Sequence, residues 1–107
     1  MKQTATYGIL REAVVGMRQV ICRYDGLYRE VCPHMLGQGK DGADRLFTYQ
    51  FAGQTSKGAL PAGGEWRCFQ VSNLEIIEVR SGQWHTGDSH LKPQSCVKMI
   101  DVEVPRR

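Results

Sequence analysis

A single stretch of this chain repeats its apolar residues with a helical period, and that restricts the folds open to it. Leu10, Ala13, Val14 and Met17 recur at i, i+3, i+4 and i+7, with Arg11, Glu12 and Arg18 between them, the stripe of an amphipathic helix. The spacing predicts a helix over about 7–18, with Thr6 as its N-cap and Gly16 weakening its last turn by roughly 1 kcal/mol relative to alanine. One helix has nowhere to bury such a stripe except against a sheet. The rest of the chain reads as short strands from about 19 to 104, divided by glycine- and proline-containing turns.

The first hairpin is the most fully specified part. Val20 to Tyr24 is rich in β-branched and aromatic residues, and Asp25-Gly26 supplies the residue types of a two-residue turn. Such a turn sets Cys22 opposite Arg29 and Val20 opposite Val31, with the return strand ending near Pro33, because proline cannot donate to a ladder. Asp44 to Phe51 alternates next, with Arg45, Phe47, Tyr49 and Phe51 on one face and Leu46, Thr48 and Gln50 on the other. The aromatic face is expected to be the core, each buried phenylalanine contributing about 1.5–3 kcal/mol. Tyr49 is also able to present its hydroxyl to a cleft. Further strands run over Trp66 to Val71, Ile76 to Arg80 and Cys96 to Val104, with a short helical turn at Ser72 to Glu75.

Two of these strands carry an arginine on the apolar phase. Arg67 shares its face with Phe69 and Val71, and Arg29 shares its face with Val31. Strand side chains alternate between faces, so an arginine in phase with a core must emerge at the core's edge or be paired. Together they suggest a basic groove beside a small β-core. The Gly-rich stretch from Gly53 to Gly64 contributes Ser56 and Lys57 as further anion-binding candidates. It lacks the order of a Walker loop, since Lys57 precedes its glycine and no helical pattern comes after it.

Composition bounds the function more than it identifies it. A chain of 107 residues suits one domain and buries roughly two thirds of the surface exposed by its unfolded form. The net charge is +3, and nine of the 14 basic residues are arginine, the side chain suited to forked contacts with phosphate and carboxylate. Cys22, Cys32, Cys68 and Cys96 come after an N-terminus without an apolar signal region. The expectation is therefore a cytoplasmic protein with reduced thiols behaving as small apolar side chains. There is no Cys-x-x-Cys; any zinc site would have to draw on Cys32, His34, Cys68 and His85, and neither metal nor cofactor is expected. His85 and His90 are expected in surface or capping roles. No nucleophile–base pairing, paired carboxylate motif or cofactor fingerprint appears, so a non-catalytic protein is expected. No apolar run approaches the roughly 20 residues of a membrane span.

In order, the chain presents Ala13-Val14 in the helix, Val20 to Tyr24, Arg29-Glu30-Val31-Cys32-Pro33, Leu46-Phe47-Thr48-Tyr49, and Arg67-Cys68-Phe69-Gln70-Val71 with Leu74 beyond it. Over about residues 9–85 this succession resembles the WYL domain. The resemblance implies an Sm-like, SH3-type barrel serving bacteria as a ligand-sensing or regulatory module, in transcriptional regulation or near defence systems. It implies nucleotide or nucleic-acid ligands, and by matching motif it carries Arg29 and Arg67 over as anion-binding residues, with Tyr49 beside them. Arg45-Leu46-Phe47 stands where the family has its naming tripeptide, and the single helix leaves no room for a helix-turn-helix.

The fold expected is mainly β with one N-terminal helix, a small Sm/SH3-like partial antiparallel β-barrel. The function expected is binding of a nucleotide or single-stranded nucleic acid through Arg29, Arg67, Tyr49, Lys57 and Ser56. The alternative is a protein-interaction or oligomerisation module, a homodimer or a partner of a regulatory protein, in which the last strand pairs with another chain and the arginines are structural.

Overall fold

The computed structural model describes all residues except 1, 57, 59, 87–94 and 105–107, with no account of the side chains of 2–4. It is mainly β with one N-terminal helix, as expected. Helix α1 spans Lys2–Gly16 and is succeeded by β1 (Gln19–Tyr24), β2 (Leu27–Gln38), β3 (Asp44–Gly53), β4 (Glu65–Gln70), β5 (Leu74–Arg80) and β6 (Met99–Glu103). Every pairing among them is antiparallel. The sheet order is β4-β3-β2-β1-β5, with β6 also paired to β2. The two outer strands, β4 and β5, are consecutive in the chain and joined by the 3-10 turn Val71–Asn73. That short link rolls the sheet into a partial barrel, although β4 and β5 do not pair and the barrel stays open.

Helix α1 begins earlier than the spacing suggested, and Thr6 lies inside it rather than capping it. Its end is a Schellman arrangement: Arg18 N–H donates to Ala13 O at 2.9 Å and Met17 N–H to Val14 O at 3.2 Å. Met17 takes the left-handed position at φ 53° and is thereby turned out of the stripe, 37% exposed. Leu10, Ala13 and Val14 remain buried, packed with Val20, Cys22, Val31, Leu36, Leu46, Phe69, Val71 and Leu74 in the main core. The helix lies against β2 and β6 and touches β1, β5 and the 3-10 turn.

The first hairpin takes the expected register, with Val20 opposite Val31 and Cys22 opposite Arg29. Asp25 and Gly26 have φ of 51° and 81°, the two positive values that match the twist of the flanking strands. Strand β2, however, does not stop at Pro33 but continues to Gln38. The proline is tolerated because it falls between two ladders: pairing with β1 ends at Val31, pairing with β6 begins at Met35, and the β3 register shifts there.

Strand β3 corrects the expected facing. Leu46, Thr48 and Gln50 are fully buried toward the main core, whereas Phe47 and Phe51 are half-buried on the other face. There Phe47 stacks on Trp66 with centroids 4.7 Å apart and Phe51 stacks on His85 at 4.2 Å. Phe47 also packs on a second small cluster of Met35, Cys96 and Val97. The aromatic row, in which Tyr49 is buried, therefore covers the far side of the sheet and a second, smaller core rather than facing the main one.

Cys68 and Cys96 form a disulfide, with Cα atoms 5.5 Å apart, which corrects the expectation of four reduced thiols. Cys22 and Cys32 are free and buried, in accord with the hairpin register that separates them. Burial pushes their thiol pKa values up, to about 12 and about 11 respectively, so both are unreactive at neutral pH. The strand expected over Cys96 to Val104 is regular only over β6. Asp101, exposed on β6, accepts from Tyr7 Oη at 2.7 Å and Arg11 Nε at 3.2 Å, tying β6 to the helix.

The segment entering β6 passes unusually close to β2. A Cβ at Gly37 would collide with the carbonyl oxygen of Met99 and stand 2.9 Å from Val97 Cγ1. Gly37→Ala is therefore expected to destabilise the protein by about 1–3 kcal/mol, the usual cost of overpacking a close contact. Amide exchange should speed up at Lys98, whose N–H donates to Gln38 O. An unchanged melting temperature with Lys98 still protected would show that the contact yields without cost.

Candidate functional site

The two arginines singled out by strand phase are brought to one place. Arg29 lies on β2 opposite Gly53, and Arg67 on β4 opposite Thr48. Between them β3 presents Gln50, whose Oε1 accepts from Arg29 Nη1 at 3.2 Å and from Arg67 Nε at 3.3 Å. Gln50 Nε2 donates to the carbonyls of Ala52 and Gln54 at 3.1 and 2.9 Å. The amide is thus pinned at both ends and its oxygen is fixed between two guanidinium groups.

The arginines differ in what surrounds them. Arg67 is a rim residue, its side chain 19% exposed and its Nη2 3.0 Å from Glu65 Oε1. Arg29 is deeper than the expected groove residue, 5% exposed. Its guanidinium carbon lies 5.5 Å from the Tyr24 ring centroid and 5.3 Å from that of Phe69, and the two rings stack on each other at 4.0 Å. Its Nε is buried without a hydrogen-bond partner. Among the described residues no carboxylate lies within ion-pair distance of Arg29, whereas Arg11, Arg23, Arg45 and Arg80 each have one. Burial, and secondarily the charge of Arg67, pull the Arg29 pKa down from its ordinary value. It still carries its proton at neutral pH, because arginine starts so high.

A buried charge held by one amide oxygen and two ring faces is electrostatically incomplete. Cation–π contacts are worth about 0.5–2 kcal/mol, less than the several kcal/mol lost in dehydrating the ion. Among the described residues, the positive charge of Arg29 is thus left without a compensating anion.

Of the other expected site residues, Tyr49 and Ser56 do not join them. Tyr49 is on the opposite face, its ring edge against Trp66 at 5.1 Å and its hydroxyl donating to Gly63 O at 2.6 Å. It anchors the Gly-rich connection. Ser56 is exposed at the tip of a turn closed by Thr55 Oγ1 donating to Gly58 O at 2.7 Å. Lys57 and His90 lie outside the described residues. That connection does reach the site at its start, where Gln54 exchanges hydrogen bonds with the backbone of Tyr28. Gly53 adjoins it at φ 102°, where a Cβ would stand 2.8 Å from Arg29 Cα.

Gln50 and Glu65 are the functional candidates that strand phase alone did not find. Glu65 is two residues along its strand from Arg67, which strand phase had already placed inward, so the same alternation contained it; Gln50 was missed because its face of β3, with Leu46 and Thr48, was expected to lie opposite the core. What the sequence lacked was the β3–β4 register that aligns Gln50 with Glu65.

The candidate zinc ligands have other roles. Cys68 is in the disulfide, His34 Nδ1 is 2.7 Å from Cys32 O, and His85 stacks on Phe51 while its backbone N–H donates to Cys32 Sγ at 3.3 Å. Among the described residues no group of three or more His, Cys, Asp and Glu side chains is arranged to hold a metal ion. Among them, too, no helix is long and apolar enough to cross a membrane. No protein-family model, curated protein or solved structure matches the chain.

Proposed function

We propose that this chain is a non-catalytic ligand-sensing or regulatory module that binds a phosphate-bearing ligand, a nucleotide or single-stranded nucleic acid, at the Arg29–Gln50–Arg67 site. The observation that carries this reading is a shared acceptor: guanidinium groups 38 positions apart in sequence donate to the same Gln50 oxygen, and among the described residues the deeper one has no carboxylate within ion-pair distance. Arg67 would fork onto phosphate oxygens at the rim, and Arg29 would supply the positive field behind it. A regulatory role of this kind is also what the resemblance to the WYL domain implies. Labelled single-stranded DNA or RNA titrated into wild type and an Arg29→Ala/Arg67→Ala variant tests it. Affinity that weakens as salt rises is expected for wild type, with at least a tenfold loss in the variant. Equal binding by both, or none at any salt, removes the proposal.

One observation favours the alternative, an interaction module. On β6, Met99 and Ile100 are 67% and 49% exposed, and among the described strands β6 pairs with β2 alone. Light scattering decides between them: a dimer lost on Met99→Lys/Ile100→Lys supports strand-edge association, and a monomer at all concentrations excludes self-association.

A further inference from the structure

Arg67 already holds an oxyanion. Glu65 begins β4 two residues earlier, so both side chains stand on the same face, with Glu65 aligned with Gln50 across the ladder. Its side chain is 47% exposed against 19% for Arg67, so the carboxylate sits outermost, between Arg67 and solvent. Arg29 and Arg67 bring two positive charges, and Glu65 is the carboxylate within ion-pair distance of either among the described residues. The site is left with one unmatched positive charge.

We infer that Glu65 is a built-in competitor for the anion site, its carboxylate standing where a ligand's oxyanion would stand on Arg67, and that binding exchanges one for the other. The inference rests on the proposed reading of the arginine site. A half-exposed ion pair is weak and its carboxylate is readily rehydrated, so Glu65 can turn out to solvent at little cost. Arg67 stays, held through Nε by Gln50. The exchange suits a phosphodiester: like a carboxylate it has one charge and two free oxygens, and it leaves the charge of the site unchanged. A strand-edge glutamate of this kind sets the affinity of the site and discriminates against anions too weak to displace it.

Fluorescence anisotropy with a short fluorescein-labelled oligothymidylate tests the exchange in three variants of the whole chain. Glu65→Gln is expected to bind about fivefold tighter than wild type, the scale of one partly exposed ion pair. Glu12→Gln, which makes the same change in net charge on the exposed face of α1, is expected to stay within about twofold of wild type. Glu65→Gln binding no tighter than Glu12→Gln overturns the exchange while leaving the arginine site standing. Arg29→Ala/Arg67→Ala binding as well as wild type, or no binding by any variant, removes the arginine site and the exchange with it.

Discussion

Replacing Gln50 with leucine is expected to lower stability by about 2–4 kcal/mol, even though it removes a polar side chain from the interior. The amide is fully buried and makes four hydrogen bonds, two accepted from arginines and two donated to carbonyls. Leucine of similar volume would leave both guanidinium groups without that acceptor and the carbonyls of Ala52 and Gln54 without that donor. Arg29→Met should act in the opposite direction, raising stability by about 1 kcal/mol, because it removes a dehydrated charge and fills the space against Tyr24 and Phe69 with apolar atoms. In the double variant the methionine should recover part of the loss from leucine, since one stranded guanidinium is gone. Urea unfolding of the four proteins measures all three effects. If Arg29→Met destabilises as much as Gln50→Leu, the arginine is a structural element, and the interaction-module reading gains at the expense of anion binding.

That pair of substitutions also separates what was legible in the sequence from what was not. The phase of Arg29 with Val31 and of Arg67 with Phe69 is local, fixed by the alternation of a strand, and it survives in the fold. So does the pairing of Cys22 with Arg29, because Asp25-Gly26 specifies a turn of definite length. Whether a patterned face meets the main core is a global property. For β3 both faces are apolar enough to be covered, and Phe47 and Tyr49 outweigh Leu46 and Thr48 by volume. The core nevertheless takes Leu46, Thr48 and Gln50, because Thr48 Oγ1 finds Cys32 O at 2.9 Å and Gln50 finds four partners. Polar residues are buried here because neighbouring strands satisfy them, and no local pattern reports on neighbours. Pro33 misled for a similar reason: its missing donor matters only where a ladder would use it, and β1 and β6 leave that position between them.

The cysteines show the same limit, and they support the other large expected effect. Sequence spacing cannot pair four cysteines, and the bridge that forms joins residues 28 apart, fastening β4 to the segment that leads into β6. Closing a loop of that length restricts the unfolded chain by about 3–4 kcal/mol in the chain-entropy account. Cys68→Ala/Cys96→Ala is accordingly expected to lower Tm by about 15 °C for a domain of this size. A dithiol reductant, taking the two sulfurs to two thiols as it is itself oxidised to a disulfide, should reproduce most of that shift in wild type and none in the variant. Native secondary structure should persist at low temperature, because β6 keeps its ladder to β2 and the Asp101 contacts to Tyr7 and Arg11. Anion binding should persist as well: Arg67 points away from Cys68, and β4 is held to β3 by pairing at every position from Glu65 to Gln70. Calorimetry of oxidised, reduced and alanine-substituted protein checks the first expectation, and oligothymidylate anisotropy on the same samples checks the second. A Tm within about 2 °C across all three would mean that the bridge adds little to what β6 already supplies. Binding lost with the bridge, in protein that is still folded, would mean that the arginine site depends on the fastening of β4 more than its ladder implies.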